Sequence, residues 1–159
     1  MASAHRVPAA SAASDRLAQP RWTTVGQVAR YLGATALVGV GGAHIWQYSV
    51  DSYSVIPTIG TLFALNFASA LVVALGLVAP LQRLSHRWGR VLLALLAASG
   101  AAIALGSLAG LEVSETTGLF GFMESGYRGA IVLSIALDAA TVVFLTAFLV
   151  AGRRTRPVQ

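Results

Sequence analysis

Apolar runs of about twenty residues, separated by short connections that carry most of the arginines, dominate this 159-residue chain. We predict four such runs, at about 27–48, 57–78, 91–111 and 129–150. Each is long enough to cross the hydrocarbon core of a bilayer, which takes about 20 residues at 1.5 Å of rise per residue. The pattern predicts an all-α fold, namely a four-helix transmembrane bundle.

The composition is typical of a protein whose solvent is lipid. Hydrophobic residues make up 56% of the chain and charged residues 11%, whereas a soluble domain has about 25% charged residues. The membrane domain is predicted to cover residues 25–152, which leaves no room for a separate soluble domain. We predict a disordered cytoplasmic tail at 1–24, which lacks the apolar core of a signal peptide, and a basic cytoplasmic tail at 153–159.

The arginines are concentrated in alternate connections and thereby predict the orientation. Ten of the eleven lie before or at the start of the first run, between the second and third runs, or after the fourth. The other connections carry four acidic residues and a single arginine, Arg128. Because basic residues are enriched in cytoplasmic connections, we predict that both termini are cytoplasmic and that residues 49–56 and 112–128 face out of the cell membrane.

Charge and cysteine content narrow the classes of function. The net charge of +5 is divided among connections instead of forming one soluble basic face, so we predict no nucleic-acid partner. The expected partner is the lipid bilayer, with anionic lipid near the arginines. The chain has no cysteine, which excludes disulfides and thiolate chemistry. No Walker loop, GxSxG or HExxH motif occurs, so we predict no catalytic residue, metal or cofactor, and the sequence favours a non-enzymatic protein.

Asp138 lies near the middle of the fourth run, where an aspartate is costly and usually faces protein or a cavity. Ser134 and Thr141 fall on the same helical face. Three interpretations remain open for Asp138. It is a neutral or hydrogen-bonded group that holds helices together, a proton relay or ligand site, or a charge that snorkels or locally perturbs the lipid.

Three further polar side chains lie near the outer ends of their runs. Asn66 is about two turns below the outer end of the second run, where an interhelical hydrogen bond is the simplest role. His44, with Tyr48 on the same face, is one turn inside the first run, where hydrogen bonding, proton transfer and metal or haem ligation are the alternatives. Because the depths of His44 and Asn66 match that of Asp138, we predict that these three residues and Tyr48 line a polar, outward-facing cavity.

The outer connection 112–128 contains an apolar stretch at 118–123. This stretch is too short to span, so we predict that it lies in the membrane interface or folds back onto the bundle. Its candidate interaction residues are Gly118, Phe120, Phe122 and Glu124.

Small residues repeat at every fourth position of the third run: Ala98, Ala102, Gly106 and Gly110. Such stripes let helices approach each other closely in lipid. The stripe therefore predicts a helix–helix contact on this face.

The segment from His44 to Asn66 reads H-x3-Y-x4-Y-x2-IP-x-IG-x-LF-x-LN. It resembles a signature of small four-span integral membrane proteins of high-GC Gram-positive bacteria. The run TGLFGF-x-E at 117–124, followed by an acidic residue in the last span, resembles the same group. The likeness covers about residues 30–150, and the layout is more distantly similar to DoxX-like membrane proteins. The resemblance implies a topology and no particular activity.

Three functions remain open. The first is a non-enzymatic accessory or interaction subunit that associates with itself or with other membrane proteins through its outer loops and small-residue faces. The second is a small transporter or proton-coupled carrier that uses Asp138, Asn66 and His44. The third is a membrane enzyme that acts on a lipid or quinone with His44 as acid or base, which the lack of a nucleophile paired with a base disfavours.

Overall fold

The computed structural model describes the backbone of residues 9–81, 86–124, 126 and 128–154, and the side chains of these residues except 9–23, 86, 87 and 154. In this part of the chain the fold is all-helical, as predicted. Its four helices are α1 at Ala9–Val50, α2 at Pro57–Val78, α3 at His86–Thr116 and α4 at Gly129–Arg154. A short 3-10 helix at Tyr53–Val55 joins α1 to α2. The predictions for residues 1–8 and 155–159 lie outside the described residues.

Three of the four described helices are long and apolar enough to cross a membrane. Their apolar parts are Pro57–Val78, Trp88–Thr116 and Gly129–Arg153. Helix α1 is outside this group, because Arg30, His44 and Gln47 lie within the stretch that we predicted to span. A fourth span therefore needs support beyond hydropathy.

Helix α1 is longer than the span predicted at 27–48. It begins at Ala9, so residues 9–24, for which we predicted a disordered tail, are helical. The reason is that alanine, which recurs at the start of this segment, is the best helix former. Hydropathy identifies only the apolar part of a helix, and the helix itself can extend beyond that part.

One arginine assigned to the first cytoplasmic connection lies inside the bundle. Arg30 belongs to α1 and is 2% exposed. Its Nη2 donates a hydrogen bond to the Tyr31 hydroxyl at 2.7 Å, and its guanidinium lies 4.6 Å from the centre of the Tyr31 ring. The start of the predicted first span is therefore packed against protein, as is usual for a cation at membrane depth.

The helices are packed unevenly around the bundle. Helix α1 packs most extensively against α4 and then against α2, whereas α3 packs against α4 and less against α2. The order around the bundle is therefore α2, α1, α4, α3. Among neighbouring helices, α2 and α3 are the pair that packs least extensively. The core consists of small and branched apolar side chains: Ala34, Leu37, Val40, Ala70, Val73, Ala74, Leu77, Ala97 and Leu145.

The small-residue stripe of α3 does not make the helix contact that we predicted. Ala98, Ala102 and Gly106 are exposed, and a Cβ atom built on Gly106 would meet nothing within 4 Å. The neighbouring face of α3 is buried instead, through Ala97 and Ala104. Both faces are rich in small residues, so residue size alone does not distinguish them.

Candidate functional site

A cavity of about 350 Å³ lies between the helices. All four helices contribute polar side chains to its lining, among them His44 of α1, Asn66 of α2, Ser107 of α3 and Asp138 of α4. Its volume is within the range of small-molecule pockets, which is about 300–1,000 Å³. The structure therefore brings together the three residues whose depths matched in the sequence, and it adds Ser107 to them.

His44 has a hydrogen-bond partner on each ring nitrogen. The side chain is 8% exposed, and its Nδ1 lies 2.9 Å from the carbonyl oxygen of Val40. A carbonyl oxygen only accepts hydrogen bonds, so Nδ1 carries a proton. Nε2 lies 3.2 Å from the Oγ of Ser107. Ser107 thus contacts the histidine and lines the same cavity as Asp138.

Where the Ser107 hydroxyl bonds both His44 and Asp138, its single proton permits two arrangements. In one, Ser107 donates to His44 and accepts a hydrogen bond from a protonated Asp138. In the other, a doubly protonated His44 donates to Ser107, which donates to an ionised Asp138. The two arrangements differ by the transfer of one proton along the chain, which is what a short proton relay requires.

Two oxygen atoms on the cavity lining lack hydrogen-bond donors. Asp138 is 1% exposed, and its Oδ1 has no partner among the described residues. The Oδ1 of Asn66 is likewise buried and unpartnered within the described part of the chain. An unsatisfied buried polar group costs about 1–3 kcal/mol. Both atoms are acceptors, so a molecule that carries donors would complement this part of the cavity.

Ser134 and Thr141, which the sequence places on the same helical face as Asp138, form their hydrogen bonds with other groups. Thr141 donates to the Leu137 carbonyl of its own helix at 2.8 Å. Ser134 lines the cavity, and its Oγ lies 3.4 Å from the Nε2 of Gln47. Neither side chain satisfies the free oxygen of Asp138, which is why this oxygen remains available inside the cavity.

An aromatic and charged cluster covers one end of the cavity. Tyr53 stacks on Phe63 with ring centres 4.8 Å apart, and Phe122 meets Tyr53 edge-on at 5.6 Å. The Tyr53 hydroxyl donates to Glu124, and Arg128 donates to the Tyr53 hydroxyl and to Glu124. Tyr53, Phe122 and Glu124 line both the cavity and a second depression. We call these three residues the lid, because they lie between the cavity and this depression.

The outer connection reaches the cavity through a sharp turn. Helix α3 is followed by Gly118, whose φ of 83° is a left-handed conformation common at helix ends. Phe120 and Gly121 both have positive φ, and Leu119 and Phe122 exchange two backbone hydrogen bonds, as in a two-residue hairpin. Of the two alternatives predicted for this stretch, the structure has the one in which it folds back onto the bundle.

Some predicted site residues lie outside the cavity. Tyr48 is not among the described lining residues, and its ring lies against Gly60 near the start of α2. Phe120 is at the tip of the hairpin and is 70% exposed. Gly118 caps α3, whereas Phe122 and Glu124 belong to the lid.

Ser107 and Tyr53 are the site residues that the sequence analysis did not single out. Ser107 is one of three serines in the largely apolar α3, and its position follows no recognisable pattern. Its only signal is depth, since it lies about as far from the outer end of its helix as His44 and Asp138 do from theirs. Tyr53 was equally hard to identify, because tyrosines near helix ends commonly serve as interface anchors.

The surroundings of His44 bear on the three roles left open for it. Among the described residues, no three His, Cys, Asp or Glu side chains form a group that could hold a metal ion. Both ring nitrogens of His44 have hydrogen-bond partners, Val40 and Ser107. This geometry favours hydrogen bonding and proton transfer over ligation.

The position of Tyr53 within the lid disfavours ionisation of its hydroxyl group. Burial, and after it the hydrogen bond to Glu124 and the charge of that residue, raise the pKa of Tyr53 well above its ordinary value of 10. Above pH 10 the unfolded chain therefore loses this proton while the folded chain keeps it, so stability falls as pH rises. We expect Glu124→Gln to lower the pKa of Tyr53 toward 10, because the negative charge is removed.

Tyrosinate absorbance during an alkaline titration measures this effect. Subtraction of the Tyr53→Phe titration isolates the contribution of Tyr53 from that of the other tyrosines. Identical Tyr53 titrations in the wild-type and Glu124→Gln proteins would contradict the hydrogen bond between Tyr53 and Glu124.

No protein family model, curated protein or solved structure matches this chain.

Proposed function

We propose that this chain is a small proton-coupled carrier of the cell membrane, with a ligand cavity in the outer half of the helix bundle. One observation carries the proposal: Asp138 is buried and lines a cavity of small-molecule size together with His44 and Ser107, whose side chains lie within hydrogen-bond distance of each other. Acidic groups in membrane helices are rare, and they commonly mark the paths of protons, ions or substrates. A carboxyl group that shares protons with a histidine can couple ligand binding to proton movement.

The proposal includes four spans with both termini in the cytoplasm. Helix α1 supplies Leu37 and Val40 to the core, and both are 0% exposed. A helix packed this closely against α2 and α4, which are apolar enough to span, is expected to share their environment. The distribution of arginines supports the orientation. Arg128, the exception on the outer side, forms an ion pair with Glu124, so its charge is compensated there.

An accessory or interaction subunit is the second candidate, and the exposed apolar side chains of the outer connection favour it. Phe120 is 70% exposed and Met123 is 62% exposed. Apolar side chains presented on a tight turn are suited to contact another membrane protein. For this function Phe120 matters and Asp138 is replaceable, whereas for a carrier the reverse holds.

Purification from native membranes separates the two functions. The carrier proposal predicts that a small molecule co-purifies with the wild-type protein and is lost from Asp138→Asn. Phe120→Ser is expected to retain this molecule, which mass spectrometry of the extract identifies. In proteoliposomes, uptake of the identified molecule should respond to a pH gradient with the wild-type protein and not with Asp138→Asn.

The opposite pattern would support the accessory subunit. In that case a protein co-purifies with the wild-type chain and with Asp138→Asn, and is lost from Phe120→Ser. A small molecule that is retained equally by all three proteins would contradict the role given to Asp138.

A further inference from the structure

The cavity opens sideways between α2 and α3. Leu62 and Leu65 of α2 are 41% and 57% exposed, and Ala102 and Gly106 of α3 are exposed as well. All four residues line the cavity. Both helices are apolar enough to lie in a membrane, so this opening faces lipid, whereas the lid covers the side of the outer connections. A molecule dissolved in the bilayer can therefore reach the cavity without passing the lid.

The polar part of the cavity is acidic. Among the described lining residues, Asp138 and Glu124 are acidic, none is an arginine, and His44 is the one side chain that can become a cation. The carboxylate of Glu124 already accepts a hydrogen bond from Tyr53 and forms an ion pair with Arg128. Asp138 and Asn66 each present an acceptor oxygen without a partner in the described part of the chain. A buried carboxylate is stabilised by an opposite charge placed next to it.

An organic ammonium group matches this environment better than a neutral alcohol does. An ammonium group carries a positive charge and up to three N–H donors, whereas a simple alcohol has one donor and no charge. The ring of Phe63 lies 5.0 Å from that of His44 and stacks on Tyr53, so aromatic groups lie near the acidic part. Aromatic faces attract cations. The apolar residues of the lining suit a hydrocarbon body.

We propose that the cavity binds a lipophilic amine, which enters from the bilayer between α2 and α3 and places its ammonium group against Asp138. This inference rests on the proposed carrier function and names the class of its substrate. Asp138 then holds either a proton or the ammonium group. Arrival of the amine displaces the proton toward Ser107 and His44, and departure of the amine allows it to return.

The test uses two probes of nearly equal shape. Tritiated 1-aminoadamantane is cationic at neutral pH, and tritiated 1-adamantanol is neutral. Equilibrium binding is measured on the full-length protein in lipid nanodiscs, with empty nanodiscs subtracted. We expect the amine to bind the wild-type protein and to lose more than about tenfold in affinity with Asp138→Asn, because one partner of a buried charge pair is removed.

Asp51→Asn is the matched control for this substitution. It makes the same chemical change at an outer-connection residue that is absent from the cavity lining. We expect it to bind the amine as the wild-type protein does. Equal losses in the two variants would mean that the effect comes from net charge, and this would overturn the assignment of Asp138.

A second pair of variants tests the route of entry and leaves Asp138 unchanged. Gly106→Leu adds a side chain at the opening, where a built Cβ meets nothing within 4 Å, so the helices need not move. Gly42→Leu makes the same change at an open glycine of α1 that is not on the lining. We expect slower and weaker amine binding in Gly106→Leu alone. Equal binding in both variants would overturn the lateral route.

The neutral probe separates failure of this inference from failure of the carrier proposal. If 1-adamantanol binds as tightly as the amine, and Asp138→Asn leaves both unchanged, the amine assignment is wrong while a ligand cavity remains. If neither probe binds, the inference is overturned. The carrier proposal is then decided by whether native membranes supply a co-purifying molecule that depends on Asp138.

Discussion

Asp138→Leu is expected to make the purified protein more stable while it abolishes ligand binding. The Oδ1 of Asp138 is buried without a partner among the described residues, and removal of such a group recovers about 1–3 kcal/mol. The adjacent cavity gives a leucine side chain room. Functional sites often carry a cost of this kind, so stability and activity are expected to move in opposite directions.

Thermal unfolding in detergent measures this change. Thr141→Val is the control, because Thr141 is 0% exposed on the same helix and its hydroxyl is satisfied by Leu137. We expect no stabilisation from this control. If Asp138 holds helices together, which the sequence left open, Asp138→Leu lowers the unfolding temperature. That result would contradict the functional role proposed for Asp138.

Gly33→Ala is expected to destabilise the bundle strongly, although it adds a single methyl group. A Cβ atom on Gly33 would clash with the Cδ2 of Leu145 and lie 2.8 Å from its Cγ. Leu145 has little room to turn away, because its side chain is fully buried and its Cδ1 packs close to Gly100 of α3. Leu145 or the packing of α1 against α4 must therefore shift, which we expect to cost about 1–3 kcal/mol, as overpacking does.

Gly42→Ala is the matched control, because it makes the same change where a Cβ meets nothing within 4 Å. Alanine is the better helix former by about 0.5–1 kcal/mol, so this control should be neutral or slightly stabilised. Leu145→Ala alone should cost about 2–5 kcal/mol through the space it leaves. In the double variant of Gly33 and Leu145, we expect a smaller loss than the sum of the two. Equal unfolding of Gly33→Ala and Gly42→Ala would contradict the packing described.

The extent to which the helices were predictable depends on how each one ends. Helix α2 has the bounds of the predicted second run, 57–78, because Pro57 starts it and Ala79-Pro80 follows it. Helix α3 runs past its predicted end at residue 111, because polar residues continue the helix until Gly118 turns the chain. Hydropathy locates the part of a helix that lipid accepts, whereas caps and backbone conformation set where the helix stops.

The cavity was predictable in part because depth in a membrane can be counted along a helix. Counting from the outer ends placed His44, Asn66 and Asp138 at similar heights, and all three line one cavity. Rotation about the helix axis is harder to predict. Tyr48 shares a face with His44 by spacing, yet it lies against Gly60. Ser107 gave no signal, because its role comes from a histidine and an aspartate on two other helices.

The proposed carrier needs four spans with both termini in the cytoplasm, and the location of the two chain ends tests this most directly. The chain contains no cysteine, so single cysteines can be introduced as Ser3→Cys, Ser52→Cys and Val158→Cys. On intact cells, a membrane-impermeant maleimide should label only Ser52→Cys, and the two terminal positions should react after permeabilisation. Labelling of one terminus and not the other on intact cells would show an odd number of spans and contradict the proposed topology.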